Sequence, residues 1–197
     1  MRRQAEISKL AYQIGLGEKT IEKDYVLTWV LFAIAHAPLL PLLAFKGGTA
    51  IKKIYIPEYR FSEDLDFTLL DQDLANSEVI DKFTVLYAWL EKEVNLLLAL
   101  DRFEEHQTGN LTLYVNYSGP LQAQMEKRSL KIDFSRDESL VFPLENKAIL
   151  SPYSDTSDWV GYLKVYSMEE IMIEKLRSLL SRTEPRDLFD VHFLLNN

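Results

Sequence analysis

Apolar positions recur at helical spacing over residues 4 to 14 and again over 18 to 36, and Gly15 and Gly17 separate the two runs. Glu18, Glu22 and Asp24 fall near the start of the second run, where carboxylates suit the positive end of a helix. From Tyr25 to Phe45 the chain carries no Asp, Glu, Lys or Arg, a length that would just span a bilayer. Pro38 and Pro41 interrupt it and His36 sits inside it, so the pattern predicts a buried helix, a turn and a core strand, "LLAF". That strand leads into Gly47-Gly48, after which "TAIKKIYI" predicts a short helix capped by Thr49.

"DLDFTLL" alternates carboxylate and apolar residues before turning wholly apolar, the pattern of a strand with one specialised face. A long helical pattern covers 76 to 100, and a hairpin follows around Gly109-Asn110. In "RSLKIDFS", Leu130, Ile132 and Phe134 point one way while Lys131, Asp133 and Ser135 point the other. Further short strands are expected near 147 to 151 and 162 to 166. Ser167 and Glu170 form a capping-box pattern for a helix at 168 to 182, and Pro185 opens a last helix. On the first of these, Met168, Ile171, Met172, Leu176, Leu179 and Leu180 define an apolar face with Lys175 inside its arc. The order of elements predicts an α+β fold: a small mixed sheet flanked by helices, with a helical C-terminal segment. Residues 1–166 are expected to form the core and 167–197 a helical segment packed on it as one compact unit.

Composition narrows the function. The 197 residues are 47% hydrophobic and 26% charged, which is globular rather than disordered. With no cysteine, disulfides and thiolate metal sites are excluded, and His36, His106 and His192 are too scattered for a zinc site. A net charge of −8 argues against a broad nucleic-acid-coating surface but leaves room for a local basic patch. "MRRQAEISKL" is not a secretory signal, so a cytoplasmic protein without membrane contact is expected.

Candidate chemistry centres on "FKGGTAIKKIYIPEYRFSEDLDF". Asp64 and Asp66, two apart on a strand, share a face, while Leu65 and Phe67 anchor the other. Asp133 lies on a strand of the same design. If the two strands are neighbours, three carboxylates converge, and one or two hard cations would relieve their repulsion. Mg²⁺ suits such a set because it fills its other positions with water and phosphate oxygens. Two such ions roughly 4 Å apart can align attacking and leaving oxygens in phosphoryl transfer. The Gly47-Gly48-Thr49 turn supplies backbone close enough to approach a phosphate. Neither motif is specific alone; their proximity favours function. Lys175 on an apolar face either snorkels to solvent or faces an anion such as a triphosphate. Several other groups have structural readings as well. Arg182 and Arg186 with Asp187 and Asp190 would serve as ion pairs between helices, Glu22, Lys23 and Asp24 as a solvated turn, and Lys52 and Lys53 as surface charge. Tyr55, Tyr59 and Phe61 suit base stacking or core packing.

Taken together, "IEKDYVLTWVL", "KGGTAI", "RFSEDLDF", "LKIDFS" and "EEIMIEKLRSLLSRTEPRDLFD" resemble the nucleotidyltransferase AbiEii/AbiGii toxin family, from about Ile21 onward. The resemblance implies a polymerase-β-like nucleotidyltransferase fold and the toxin of a type IV toxin–antitoxin or abortive-infection system. It implies NTP as substrate, Mg²⁺ (two ions), an RNA acceptor such as a tRNA 3′ end, and a cognate antitoxin as partner. Asp64 and Asp66 take the place of the metal ligands, and Gly47, Gly48 and Thr49 that of the glycine turn. Ser62 belongs to the S-x-D-x-D core, Lys175 matches the triphosphate lysine, and Arg186 with Asp187 match a terminal R-D pair. Asp133 is placed as third carboxylate and proton acceptor, with Lys46 and Arg60 on the nucleotide side. Lys46, Lys52, Lys53 and Arg60 form a local patch able to steer an RNA end. A non-catalytic NTP-binding or partner-binding module, and transfer to a protein hydroxyl, remain as alternatives.

Overall fold

The charge-free stretch after residue 24 decides the interior. In the computed structural model, which describes residues 4–136, 138–182 and 184–196, it forms most of helix α2 (Glu18–Ala35), which is buried almost all round. Helix α1 (Gln4–Ile14) precedes it. Behind α2, Trp29 and Trp89 each meet Trp159 edge to face, while His36 stacks on Trp89. Among the described residues, no helix is long and apolar enough to cross a membrane.

Among the described residues the sheet has seven strands: β1 (Leu43–Lys46), β2 (Asp64–Leu69), β3 (Leu97–Glu105), β4 (Leu111–Ser118), β5 (Ser129–Ser135), β6 (Glu145–Ala148) and β7 (Tyr162–Val165). Their order is β3-β4-β5-β2-β1-β7-β6. The β2–β5 and β1–β7 pairs are parallel, and the rest are antiparallel. One face is apolar, with Leu65, Phe67, Ile132, Phe134, Leu111 and Leu113 all buried. Helix α4 (Asn76–Val94) packs on that face through Phe83, which meets Phe134 at 5.3 Å between ring centroids. Helices α5 (Met168–Arg182) and α6 (Pro185–Leu195) complete the chain. The mixed α/β architecture agrees with the sequence reading, with a larger sheet than expected.

Several local expectations are corrected. The helical pattern over 76 to 100 ends at Val94, because Asn95 adopts the left-handed conformation (φ 54°) and Leu97 already begins β3. The short helix after β1 starts at Gly47 rather than Thr49: α3 (Gly47–Ala50) runs on into a π-helical turn, Ile51–Tyr55. Thr49 is therefore inside it and caps nothing; its hydroxyl donates to the backbone carbonyl of Asp64. The strand expected at 147 to 151 is β6, a little earlier. Half of the capping box forms, with the Glu170 N–H donating to Ser167 Oγ at 3.2 Å. The Glu170 carboxylate instead accepts from the N–H groups of Val141 and Phe142.

Burial overturns two readings of charge. Glu22 and Asp24 are not a solvated turn. Glu22 accepts from Arg128 and from the Leu121 N–H, and Asp24 accepts from Lys53 at 2.7 Å and from the Tyr153 hydroxyl at 2.6 Å. Lys53 is buried in that pair, and Lys52 gives its ammonium to the carbonyls of Pro57 and Tyr59, so neither is surface charge. Of the expected apolar face of α5, only Ile171 is fully buried, while Leu180 is 86% exposed. Helical periodicity reports which side is apolar, not whether anything covers it.

Candidate active site

Strand register puts the polar residues of the other sheet face in one row. Lys46 of β1 lies opposite Asp66 of β2, Asp66 opposite Asp133 of β5, and Asp133 opposite Thr112 of β4. Asp64 stands two residues before Asp66, opposite Lys131. The chain reaches this row through a tight turn. Gly47 has φ 78°, and a Cβ there would collide with the Asp66 carboxylate, so glycine is required twice over. A Cβ at Gly48 would meet Ser62 Oγ at 3.2 Å.

The row opens into a cleft of about 430 Å³. Gly48, Phe61, Ser62, Glu63, Asp64, Asp66 and Asp133 line it together with the cations Arg60, Lys131, Lys175, Arg182 and Arg186. In a chain of net charge −8, this gathering of cations around carboxylates is a local reversal of the global balance.

Electrostatics distinguish the carboxylates. Burial pushes Asp66 up to about 6, with the charges of Asp133 and Asp64 adding to it and Lys46 and Lys175 opposing. Burial also raises Asp64, against the pull of Lys23 and Lys131. Among the described residues no hydrogen bond or ion pair reaches either side-chain carboxylate, and the nearby cations do not offset their burial. Asp133 is satisfied: Thr112 Oγ1 donates to its Oδ1 at 2.7 Å and Lys131 Nζ to its Oδ2 at 2.6 Å. Burial works against the Lys131 ammonium, but the hydrogen bond and charge of Asp133 outweigh it and hold its pKa above the usual range.

Hard oxygen donors without partners suit a divalent cation. Among the described residues, however, no group of three or more His, Cys, Asp or Glu side chains closes around a point that would hold one. In this arrangement the two oxygens of Asp133 are taken by Thr112 and Lys131, while Asp64 and Asp66 stay unpaired. The donor chemistry of the three carboxylates fits such a cation, and the positive charge beside Asp133 in this structure is the Lys131 ammonium.

Opposite the carboxylates, Asp190 organises the cations. It is fully buried and receives Arg60 through Nε (2.6 Å) and Nη2 (2.7 Å), and Lys175 at 3.0 Å. Burial raises its pKa, but these bonds outweigh it and leave Asp190 below the ordinary carboxylate range. Lys175 and Arg60 thus face the cleft as the sequence suggested, and Ser62 and Gly48 line it.

Other expected residues lie elsewhere. Lys46 turns to Glu138 (2.9 Å) and Glu174 (2.8 Å) and is not part of the cleft lining. Gly47 and Thr49 support the turn from behind. Arg186 lines the cleft and pairs with Glu184, whereas Asp187 is buried away from it and binds Arg182 through two bonds, at 2.7 and 3.0 Å. Asp187 is therefore a helix tie, as the ion-pair reading allowed. The sequence offered Asp190 and Arg182 only as ion pairs between helices, and gave no role in the site to Lys131 or Thr112. The alternation in "LKIDFS" already put Lys131 on the face of Asp133, which was the available signal for it.

The fold and cleft place the molecule among nucleotidyltransferase-type proteins. It resembles the nucleotidyltransferase toxin MenT4 of Mycobacterium tuberculosis H37Rv, with a TM-score of 0.73 and 18% identity over 100% of this chain and 65% of that one. It also resembles JHP933 of Helicobacter pylori, with a TM-score of 0.61 and 21% identity over 92% of this chain and 68% of that one. The chain thus spans about two thirds of the length of these structures, at 65% and 68%. No curated protein matches it. Residues 29–197 match the family described as nucleotidyl transferase AbiEii toxin, type IV toxin–antitoxin system, and the chain belongs to that family.

Proposed function

We propose that the protein is a Mg²⁺-dependent nucleotidyltransferase and the toxin of a toxin–antitoxin pair, moving NMP from an NTP to an acceptor hydroxyl, with RNA such as a tRNA 3′ end as the favoured acceptor. The observation that carries this reading is the parallel register of Asp66 with Asp133, beside Asp64, in a cleft whose remaining side chains include Arg60, Lys175, Arg182 and Arg186. Asp64, Asp66 and Asp133 would hold the cation, which when bound supplies charge to the phosphate oxygens. Lys175 and Arg60, steadied by Asp190, hold the triphosphate, and the Gly47-Gly48 turn keeps backbone out of its way. Asp133 accepts the proton of the attacking hydroxyl, the oxygen attacks the α-phosphorus, and pyrophosphate leaves. A cytoplasmic setting and a cognate antitoxin complete the proposal.

One observation favours a second acceptor. Lys52 and Lys53 are buried, so the patch expected to steer RNA loses two of its four members. Transfer to a protein hydroxyl is the reading this supports. Incubation with labelled NTPs and either total RNA or cell protein separates the two. Label on RNA supports the first, and label on protein the second. Equal labelling by wild type and Asp64→Ala, or no label from wild type on either, defeats the transferase reading and leaves a non-catalytic NTP-binding module.

A further inference from the structure

We propose that Thr112, oriented by His106, is the positioning residue that holds Asp133 in the cleft, and that Lys131 is a place-holder that yields to the cation. The inference rests on reading Asp64, Asp66 and Asp133 as the cation site. Along β4, Leu111, Leu113 and Val115 are buried in the core, so the alternation puts Thr112 on the cleft face, opposite Asp133. Thr112 is itself buried, at 4% exposure, with its Oγ1 2.7 Å from Asp133 Oδ1. His106, in the turn between β3 and β4, brings Nε2 to 3.1 Å from the same Oγ1.

Proton accounting fixes the direction of this chain. A hydroxyl has one proton and an ionised carboxylate only accepts, so Thr112 donates to Asp133. The Thr112 oxygen is then an acceptor, and His106 donates its Nε2–H to it. Oδ1 of Asp133 is thereby held by a short, β-branched, buried side chain with little rotamer freedom. Oδ2 is held by Lys131, a long side chain that is 39% exposed and able to swing out. The two partners of Asp133 have different fates. Thr112 stays and sets the carboxylate plane, while Lys131 leaves when a divalent ion brings its own charge.

The test is Mn²⁺ titration of the intact protein without nucleotide, with free Mn²⁺ read by electron paramagnetic resonance and folding checked by thermal melts. Thr112→Val keeps the shape and removes the hydroxyl; it should weaken Mn²⁺ binding about 10-fold, the usual cost of losing a ligand's supporting hydrogen bond. Thr112→Ser should restore binding to within about twofold of wild type, and His106→Ala should fall between the two. Lys131→Met should do the opposite and tighten binding. Wild-type affinity in Thr112→Val, or failure of Thr112→Ser to rescue, overturns the positioning role. Weaker binding in Lys131→Met overturns the place-holder role. If the wild type takes up no Mn²⁺, the cation reading itself falls, and this inference with it.

Discussion

Replacing Asp66 with Asn should stabilise the cation-free protein above neutral pH while abolishing its response to divalent ions. The carboxylate sits at about 6 in the folded state against an ordinary 3.8, mainly through burial and then through Asp133 and Asp64. A raised acid pKa means that the folded state holds its proton more tightly than the unfolded state. Below about pH 4 both states are protonated and nothing is lost. Between 3.8 and about 6 the unfolded state ionises first and stability falls, and above that the penalty is complete. A rise from 3.8 to about 6, at about 1.36 kcal/mol per pH unit, is on the order of 3 kcal/mol. Asn removes the charge and keeps the shape, so at pH 8 in EDTA the variant should melt about 6–12 °C higher, given ~2–4 °C per kcal/mol for a domain of this size. The gain should fade as pH drops toward 4. Saturating Mg²⁺ should stabilise the wild type and leave the variant unmoved. A variant that is less stable at pH 8, or a gain independent of pH, would refute the argument that Asp66 is an uncompensated charge.

Gly47→Ala should cost about 1–3 kcal/mol in a melt and weaken NTP binding in calorimetry, because the new Cβ meets both an unfavourable φ and the Asp66 carboxylate. Lys53→Met should cost about 3–5 kcal/mol in urea denaturation by leaving Asp24 buried and unpaired, and adding Asp24→Leu should recover much of it. Asp190→Ala should cost a similar ~3–5 kcal/mol and loosen NTP binding, since Arg60 and Lys175 lose their shared anchor. Asp190 is held below the ordinary 3.8, so its contribution is present above that pH and lost as pH falls through its depressed folded value, which an acid titration of wild type against Asp190→Asn would show.

The parts of this molecule legible in the sequence are those written in local alternation. "DLDFTLL" and "LKIDFS" declared both their strands and which side chains shared the cleft face, and the charge-free run announced the central helix. The end of α4 was hidden because "NLLLAL" continues a helical apolar spacing, and the break comes from the backbone conformation of a single asparagine. Charges buried by distant partners were also illegible: Asp24 meets Lys53 and Tyr153, and Glu22 meets Arg128, only once the fold is made. Asp190 fell into the same class, since its ligands Arg60 and Lys175 come from separate stretches of chain. The partners of Lys46 were equally hidden, because Glu138 and Glu174 are remote from it in sequence.

The parallel pairing of β2 with β5 has a temporal side. Thr68 and Ser135, which meet across it, are 67 residues apart, with the hairpin of β3 and β4 in the sequence between them, so this seam is a long-range contact of the kind that slows folding. A chain emerging from the ribosome therefore carries Asp64 and Asp66 long before it carries Asp133, and the helices that bring Lys175 and Asp190 come later still. The carboxylate row is thus a late product of folding: until the seam between β2 and β5 closes, Asp66 has no Asp133 beside it.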